Sequence, residues 1–278
     1  MELAGRRAIV TGGARGIGLC TARRLLAEGC AVAIWDRDKA ALAAAQAELS
    51  GRGQYVAVSC DVTDPEQVAA AVRETEERLG GVEILINNAG TTAGGRFVDH
   101  SSEEWETLVR VNLNALFYTT HAVLPRMEAA GFGRVVNLSS AGGMVGVAQL
   151  SVYAATKWAV WGFTESLRQE YWDGRSGDIR FSSIHPNYVR TGLFEGARMR
   201  GIGGLIAPQL RSHDVVAKAI VESALKRGRG VVRRPRALRL GPLLRGLLPD
   251  ALFQRALRAL DVHRSMGRWT GSGDGRSR

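Results

Sequence analysis

The chain has 278 residues, 45% of them hydrophobic and 23% charged, a globular composition that excludes whole-chain disorder. No uninterrupted apolar stretch approaches the roughly 18 to 20 residues of a membrane-spanning helix, and the amino terminus reads as lacking an export signal. Its three cysteines, Cys20, Cys30 and Cys60, follow no CxxC spacing, which argues against a disulfide framework or structural zinc and points to a reducing cytoplasm. The net charge of +10 is uneven: residues 1–189 carry −3 and residues 190–278 carry +13, so the basic tail needs its own explanation.

In chain order, apolar runs rich in β-branched residues alternate with amphipathic segments of helical length. RRAIVTGG leads into a helix predicted over 17–28, AVAIWD into 39–49, QYVAVSCDV into 65–79 and VEILINNAG into 103–130. RVVNLSS then precedes a helix over 151–171, and IRFSSIHP one over 214–226. Such alternation predicts βα units and a parallel sheet. The strands are apolar at almost every position rather than at every second one, which requires helices on both faces. The expected fold is therefore α/β, a doubly wound Rossmann-type three-layer sandwich with a mainly parallel sheet. One domain is expected over 1–230, then a basic helical C-terminal extension over 231–268 and a disordered end over 269–278. Within the extension, Leu240, Leu243, Leu244, Leu247 and Leu248 fit one helical face, and Leu252, Phe253, Ala256, Leu257 and Leu260 fit another.

Two constellations carry chemistry. The first strand ends in Thr11-Gly12-Gly13-Ala14-Arg15-Gly16-Ile17-Gly18, where glycines let the backbone approach a pyrophosphate at the start of a helix. Asp36 follows at the end of the second strand, where a carboxylate can accept hydrogen bonds from an adenosine 2′-OH and would repel a 2′-phosphate. The second constellation is Ser140, Tyr153 and Lys157, the last two stacked on one helical face by their four-residue spacing. An ammonium beside a phenol favours the phenolate, so the Tyr153 pKa is expected to fall from about 10 toward neutral pH. His100, His121, His213 and His263 lack ligand-like spacing, and no metal site is expected.

With TGGARGIG, Asn88-Ala89-Gly90, the VNL around Asn112, and Ser140 followed by Tyr153-Ala-Ala-Thr-Lys157, the sequence resembles the short-chain dehydrogenase/reductase family over about residues 5–230. The resemblance implies that Tyr153 is the acid/base, that Lys157 holds ribose hydroxyls and lowers the Tyr153 pKa, and that Ser140 bonds the substrate oxygen. Asn112 would kink its helix and anchor a proton-relay water. On the cofactor side it implies Gly12, Arg15, Gly16, Ile17 and Gly18 at the pyrophosphate, Asp36 and Arg37 near the ribose, and Asp61 and Val62 beside the adenine. Asn88, Ala89 and Gly90 would follow the fourth strand, and Pro186, Val189 and Thr191 would flank the nicotinamide. Asn187 departs from the family's usual glycine. Asp36 favours NAD over NADP, whereas Arg15 and Arg37 stand where NADP-using relatives place cations.

The segment 185–200, above all TGLFEGARMR, together with the Leu/Arg tail, resembles more specifically the branch of retinol dehydrogenases and lipid-associated 17β-hydroxysteroid dehydrogenases. That implies a hydrophobic alcohol, ketone or aldehyde as substrate, with Leu193, Phe194, Met199, Leu205 and Ile206 as an apolar lid, and a homodimer or homotetramer. The tail has two readings: it packs on the domain or between subunits, or it lies on an anionic membrane surface. Nucleic acid is not expected as a partner, since no recognition motif accompanies the charge. A dehydrogenase of small polar alcohols, and a non-catalytic dinucleotide sensor or membrane-surface protein, stay open beside the main expectation.

Overall fold

The structure is a computed structural model that describes residues 1–197, 199, 201–267 and 269. Seven strands form one wholly parallel sheet: β1 (Arg7–Thr11), β2 (Ala31–Asp36), β3 (Tyr55–Ser59), β4 (Ile84–Asn87), β5 (Phe132–Leu138), β6 (Asp178–Pro186) and β7 (Val231–Arg234). Their spatial order is β3-β2-β1-β4-β5-β6-β7. The order reverses between β1 and β4, and in such sheets the crevice at the carboxyl ends of the strands on either side of the switch is where ligands bind. The seventh strand corrects the expected division at residue 230. Val231 and Val232 pair with Ser183 and Ile184 of β6, so the sheet runs to Arg234 and the extension begins after it.

Both faces of the sheet are covered. Val10, Ile34 and Ile86 face α1 (Gly16–Ala27), α2 (Lys39–Leu49) and α8 (His213–Ala219), while Ile9, Trp35 and Leu85 face α3 (Pro65–Leu79), α5 (Ala115–Ala130) and α6 (Ser151–Glu170). This two-sided burial explains the apolar strands. Local signals set helix ends. Asp64 accepts from the N–H groups of Glu66 and Gln67, Pro65 opens α3, and Gly80 closes it in the left-handed region at φ +83°. Ser101 and Glu104 form a capping box at the start of α4 (Ser102–Val109).

The helix predicted over 103–130 is divided: α4 and α5 are joined by a π-helical turn, Arg110–Asn114, centred on Asn112. A buried polar ladder crosses the core beneath it. The Asn87 amide donates to Asn137 Oδ1 (2.9 Å) and Thr120 Oγ1 (3.0 Å), and the Asn137 amide donates to Thr164 Oγ1 (2.9 Å). These bonds fix α5 and α6 against β4 and β5, because leaving any of these groups unpaired would cost about 1–3 kcal/mol.

After β6 the chain forms α7 (Gly201–Ile206) and then α8, which continues as a wide turn, Ile220–Lys226. Beyond β7 the extension folds as α9 (Leu240–Leu247) and α10 (Asp250–Ala259), then a short turn at Val262–Arg264. Phe253 is a deeply buried anchor, at 2% exposure, and Met266 is buried as well. Arg245 reaches over the Trp158 ring of α6, 5.1 Å from its centroid, and fastens α9 to the domain. Trp269 donates from Nε1 to the carbonyl of Leu193 at 3.0 Å. The expected disorder of 269–278 otherwise lies outside the described residues, as do Arg198, Arg200 and Arg268.

Candidate active site

The glycine-rich turn leaves β1 and opens α1. Gly12 sits at φ +58°, and a Cβ there would stand 3.0 Å from Ala89 Cα. A Cβ on Gly18 would lie 2.1 Å from the Gly12 carbonyl oxygen, so only glycine fits. Asn88 holds the turn: its amide donates to the carbonyls of Thr11 (2.9 Å) and Gly12 (3.0 Å), while Thr11 Oγ1 accepts from the N–H groups of Asn88 and Ala89, each at 3.0 Å. Helix α1 begins with no side-chain cap and no acidic residue in its first turn. Its first N–H groups and positive dipole end therefore suit an anion.

Asp36 ends β2, and its two oxygens accept from the N–H groups of Ala14 (3.3 Å) and Asp38 (3.1 Å). Arg15 is ion-paired with Asp38. Asp61 accepts from the N–H and hydroxyl of Thr63 at 2.9 and 2.8 Å, so it shapes its own turn, with Val62 buried beside it. Of the catalytic and cofactor-binding residues marked in the sequence, all except Gly18 and Asn112 line one cavity of about 960 Å³. A backbone cradle closed to any Cβ, uncapped helix N–H groups and a carboxylate at the tip of β2 fit a dinucleotide.

Tyr153 and Lys157 occupy the first turns of α6, both buried. Lys157 Nζ donates to the Leu138 carbonyl at 3.0 Å and lies 5.7 Å from the centre of the Tyr153 ring. Burial lowers the Lys157 pKa to about 8. The Tyr153 phenol moves opposite to the sequence expectation. Burial pushes its pKa up, and the facing Ser140 hydroxyl offsets only part of that rise. The reason is geometric, since the ammonium is held on the Leu138 carbonyl instead of touching the phenol oxygen.

The adjacent serines divide. Ser139 is buried and donates to the Lys157 carbonyl at 2.8 Å, which braces α6. Ser140 accepts from the Gly142 N–H at 3.2 Å and turns its hydroxyl toward Tyr153. His185, fully buried, lies 3.2 Å from the Ser140 carbonyl and 3.0 Å from Ser183 Oγ, and burial lowers its pKa to about 4. It positions the Ser140 backbone as a neutral ring. The Asn112 side chain is committed to Thr91, accepting from its N–H at 2.8 Å and donating to its carbonyl at 2.9 Å. This clamps the turn after β4 to the π-helical turn beside Lys157.

Past Tyr153 the cavity becomes apolar. Leu193, Phe194, Met199 and Ile206 line it as expected, whereas Leu205 is 82% exposed and does not. Phe194 packs edge-on against Tyr153 with ring centres 5.3 Å apart. The far wall comes from the extension, through Leu240, Leu244, Phe253 and Leu257. The sequence reading missed Tyr188, which lines the cavity within hydrogen-bond reach (3.0 Å) of Ser265 Oγ. It also missed what Asn187 does: the amide donates to the carbonyls of Ala207 (2.7 Å) and Pro208 (3.2 Å), tying the end of β6 to the α7 loop. The departure from glycine at Asn187 was the available signal.

Comparison with known proteins gives the family and the fold. A model of the short chain dehydrogenase family matches residues 6–202. The chain is 45% identical over 168 residues to a 2-dehydro-3-deoxy-L-rhamnonate dehydrogenase (NAD(+)) of a Sphingomonas species, covering 60% of this chain and 66% of that one. It is 38% identical over 231 residues to a 3-alpha-(or 20-beta)-hydroxysteroid dehydrogenase of Mycobacterium tuberculosis, covering 82% and 87% respectively. A solved short chain dehydrogenase/reductase of Burkholderia phymatum in complex with NAD superposes with a TM-score of 0.79 at 25% identity, over 91% of this chain and 96% of that one.

Proposed function

The chain belongs to the short-chain dehydrogenase family, an oxidoreductase acting on CH–OH groups, and we propose that it interconverts a hydrophobic alcohol and its ketone or aldehyde using NAD. The observation that carries this reading is the single cavity, polar at the glycine turn and Asp36, apolar under α9 and α10, with Tyr153 between. A steroid, retinoid or long-chain lipid alcohol suits the apolar end, and the hydroxysteroid relative supports that class. The likeness of segment 185–200 to the retinol and lipid-associated dehydrogenases belongs to the same proposal. The sugar-acid relative warns that the family also serves polar substrates.

In this reading Asp36 accepts from the ribose hydroxyls and excludes a 2′-phosphate, since two anions so close are costly to desolvate together. Arg15, the cation beside this carboxylate, is ion-paired with Asp38. Lys157 holds the second ribose. When bound, the nicotinamide ring supplies the hydride acceptor or donor. Tyr153 gives its phenolic proton to the substrate oxygen in reduction and takes the hydroxyl proton in oxidation. Ser140 donates to the same oxygen, so positioning and a preset dipole share the barrier lowering.

The Asp36 assignment is tested by cofactor titration. Asp36→Ala should raise NADP affinity by roughly tenfold or more, the scale of removing one unfavourable charge contact. Unchanged preference would remove Asp36 from that role. Contact with an anionic membrane surface is a second reading, favoured by the exposed apolar side chains Ile202, Leu205, Leu243 and Leu247 on α7 and α9, two helices of the basic part of the chain that also line the cavity.

A further inference from the structure

The wall opposite the glycine turn carries a titratable ring to which neither the spacing of motifs nor the catalytic set gives a role. His213 is the first residue of α8, half-buried, and lines the cavity at its cofactor end. A Cβ placed on Gly16 would stand 3.7 Å from both Cε1 and Nε2 of this ring, and one on Gly192 would stand 3.1 Å from Nε2. The Nε2 edge therefore lies between Gly16, at the uncapped start of α1, and Gly192. Two contacts, an ion pair beside the ring and a hydrogen bond of the ring itself, hold it there. Asp214 accepts from Arg24 Nε (2.7 Å) and Nη2 (2.5 Å), fastening α8 to α1, and the His213 ring bonds the Thr191 backbone.

We propose that His213 is a cofactor-binding residue whose Nε2 donates to the dinucleotide pyrophosphate from the α8 side, taking up a proton as the phosphates arrive. The inference rests on the dinucleotide reading of the cleft. In the free protein burial lowers the His213 pKa and so favours the neutral ring, while the bond to the Thr191 backbone opposes that shift. A pyrophosphate diester is a fixed dianion, and an opposite charge at contact favours the imidazolium. The pKa therefore rises on binding, and by linkage affinity increases as pH falls between the two values.

The other charged groups around this ring do not titrate in that window. Asp214 is held below the usual carboxylate range by its hydrogen bond to Arg24, and the same bond raises the Arg24 pKa. The remaining charged side chains on the segments around the ring are Arg15, Arg190, Arg211 and, further along α8, Lys218. Lys157, near 8, adds a slope of its own on the alkaline side, which a His213 variant retains.

The test is binding of ADP-ribose, which carries the pyrophosphate without the nicotinamide, measured calorimetrically from pH 6 to pH 8 in two buffers of different ionisation heat. Wild type should bind several-fold more tightly at pH 6 than at pH 8 with net proton uptake, within the tenfold per pH unit that one proton allows. His213→Gln, which keeps a donor without titrating, should lose that uptake and flatten the profile below pH 7.5. His213→Ala should also bind more weakly at every pH. Adenosine, which lacks the phosphates, should show no His213-dependent slope. Parallel profiles for wild type and His213→Gln, or an equal slope with adenosine, would overturn the inference while leaving the cofactor site standing. Failure of wild type to bind ADP-ribose at any pH would overturn the cofactor reading and this inference with it.

Discussion

Ser139 and Ser140 are chemically identical neighbours, and their surroundings give them opposite duties. Ser139 spends its hydroxyl on the Lys157 carbonyl in the core, so Ser139→Ala should lower stability by about 1–2 kcal/mol, read as a fall in the denaturant midpoint. Ser140→Ala should leave the midpoint in place and reduce kcat. The reverse pattern would reassign the two. Burial acts on Tyr153 and Lys157 in the same sense, disfavouring both charged forms. The phenol of the free protein is thus protonated across neutral pH. For reduction, kcat/KM should hold through neutrality and fall only on the alkaline side, whereas for oxidation it should climb with pH. A reductive kcat/KM that already falls between pH 5 and 7 would contradict this assignment.

Elements whose identity comes from their own residues were legible from the sequence, and those made by contacts elsewhere were not. β1, β2 and β4 to β6 show as apolar runs between turn residues because helices cover both their faces, and the edge strand β3 keeps one face buried and the other half-buried. β7 is only Val-Val-Arg-Arg, and its strand character comes from pairing with β6. The π-helical turn at Asn112 has no composition signal, and it is fixed by the bonds of Asn112 to Thr91. The leucines of α9 and α10 were visible as helical faces, but their seat over the cavity depends on Phe253 and Arg245. In the site, the residue types were legible, while the Tyr153 shift was misjudged because helical spacing says nothing about burial. Removing the tail's anchor should uncouple lid from domain. Phe253→Ala should cost about 3 kcal/mol, raise KM for apolar substrates and leave NADH affinity unchanged, as checked by thermal unfolding, kinetics and titration.

At the scale of the whole molecule, the basic charge is gathered on the part of the chain that walls the substrate end. Leu205 and Leu247 are exposed at 82% and 71% on α7 and α9, two helices that line the cavity. If these helices meet an anionic membrane, the full chain should co-sediment with vesicles rich in phosphatidylserine and not with neutral ones, and Leu205→Asp with Leu247→Asp should release it. Equal recovery with both vesicle types would favour a tail that serves only to cover the cavity. Among the described residues, no helix is long and apolar enough to cross a membrane.

The central claim, that Tyr153 transfers the proton for NAD-linked oxidation of an apolar alcohol, is tested most directly by NADH formation. Wild type and Tyr153→Phe should be compared with NAD and NADP against steroid, retinoid, long-chain and short polar alcohols. Wild type should turn over the apolar alcohols with NAD, and Tyr153→Phe should lose at least about 10²-fold in kcat while binding NADH normally. Turnover confined to short polar alcohols, or a Tyr153→Phe variant that keeps near-full activity, would contradict the account.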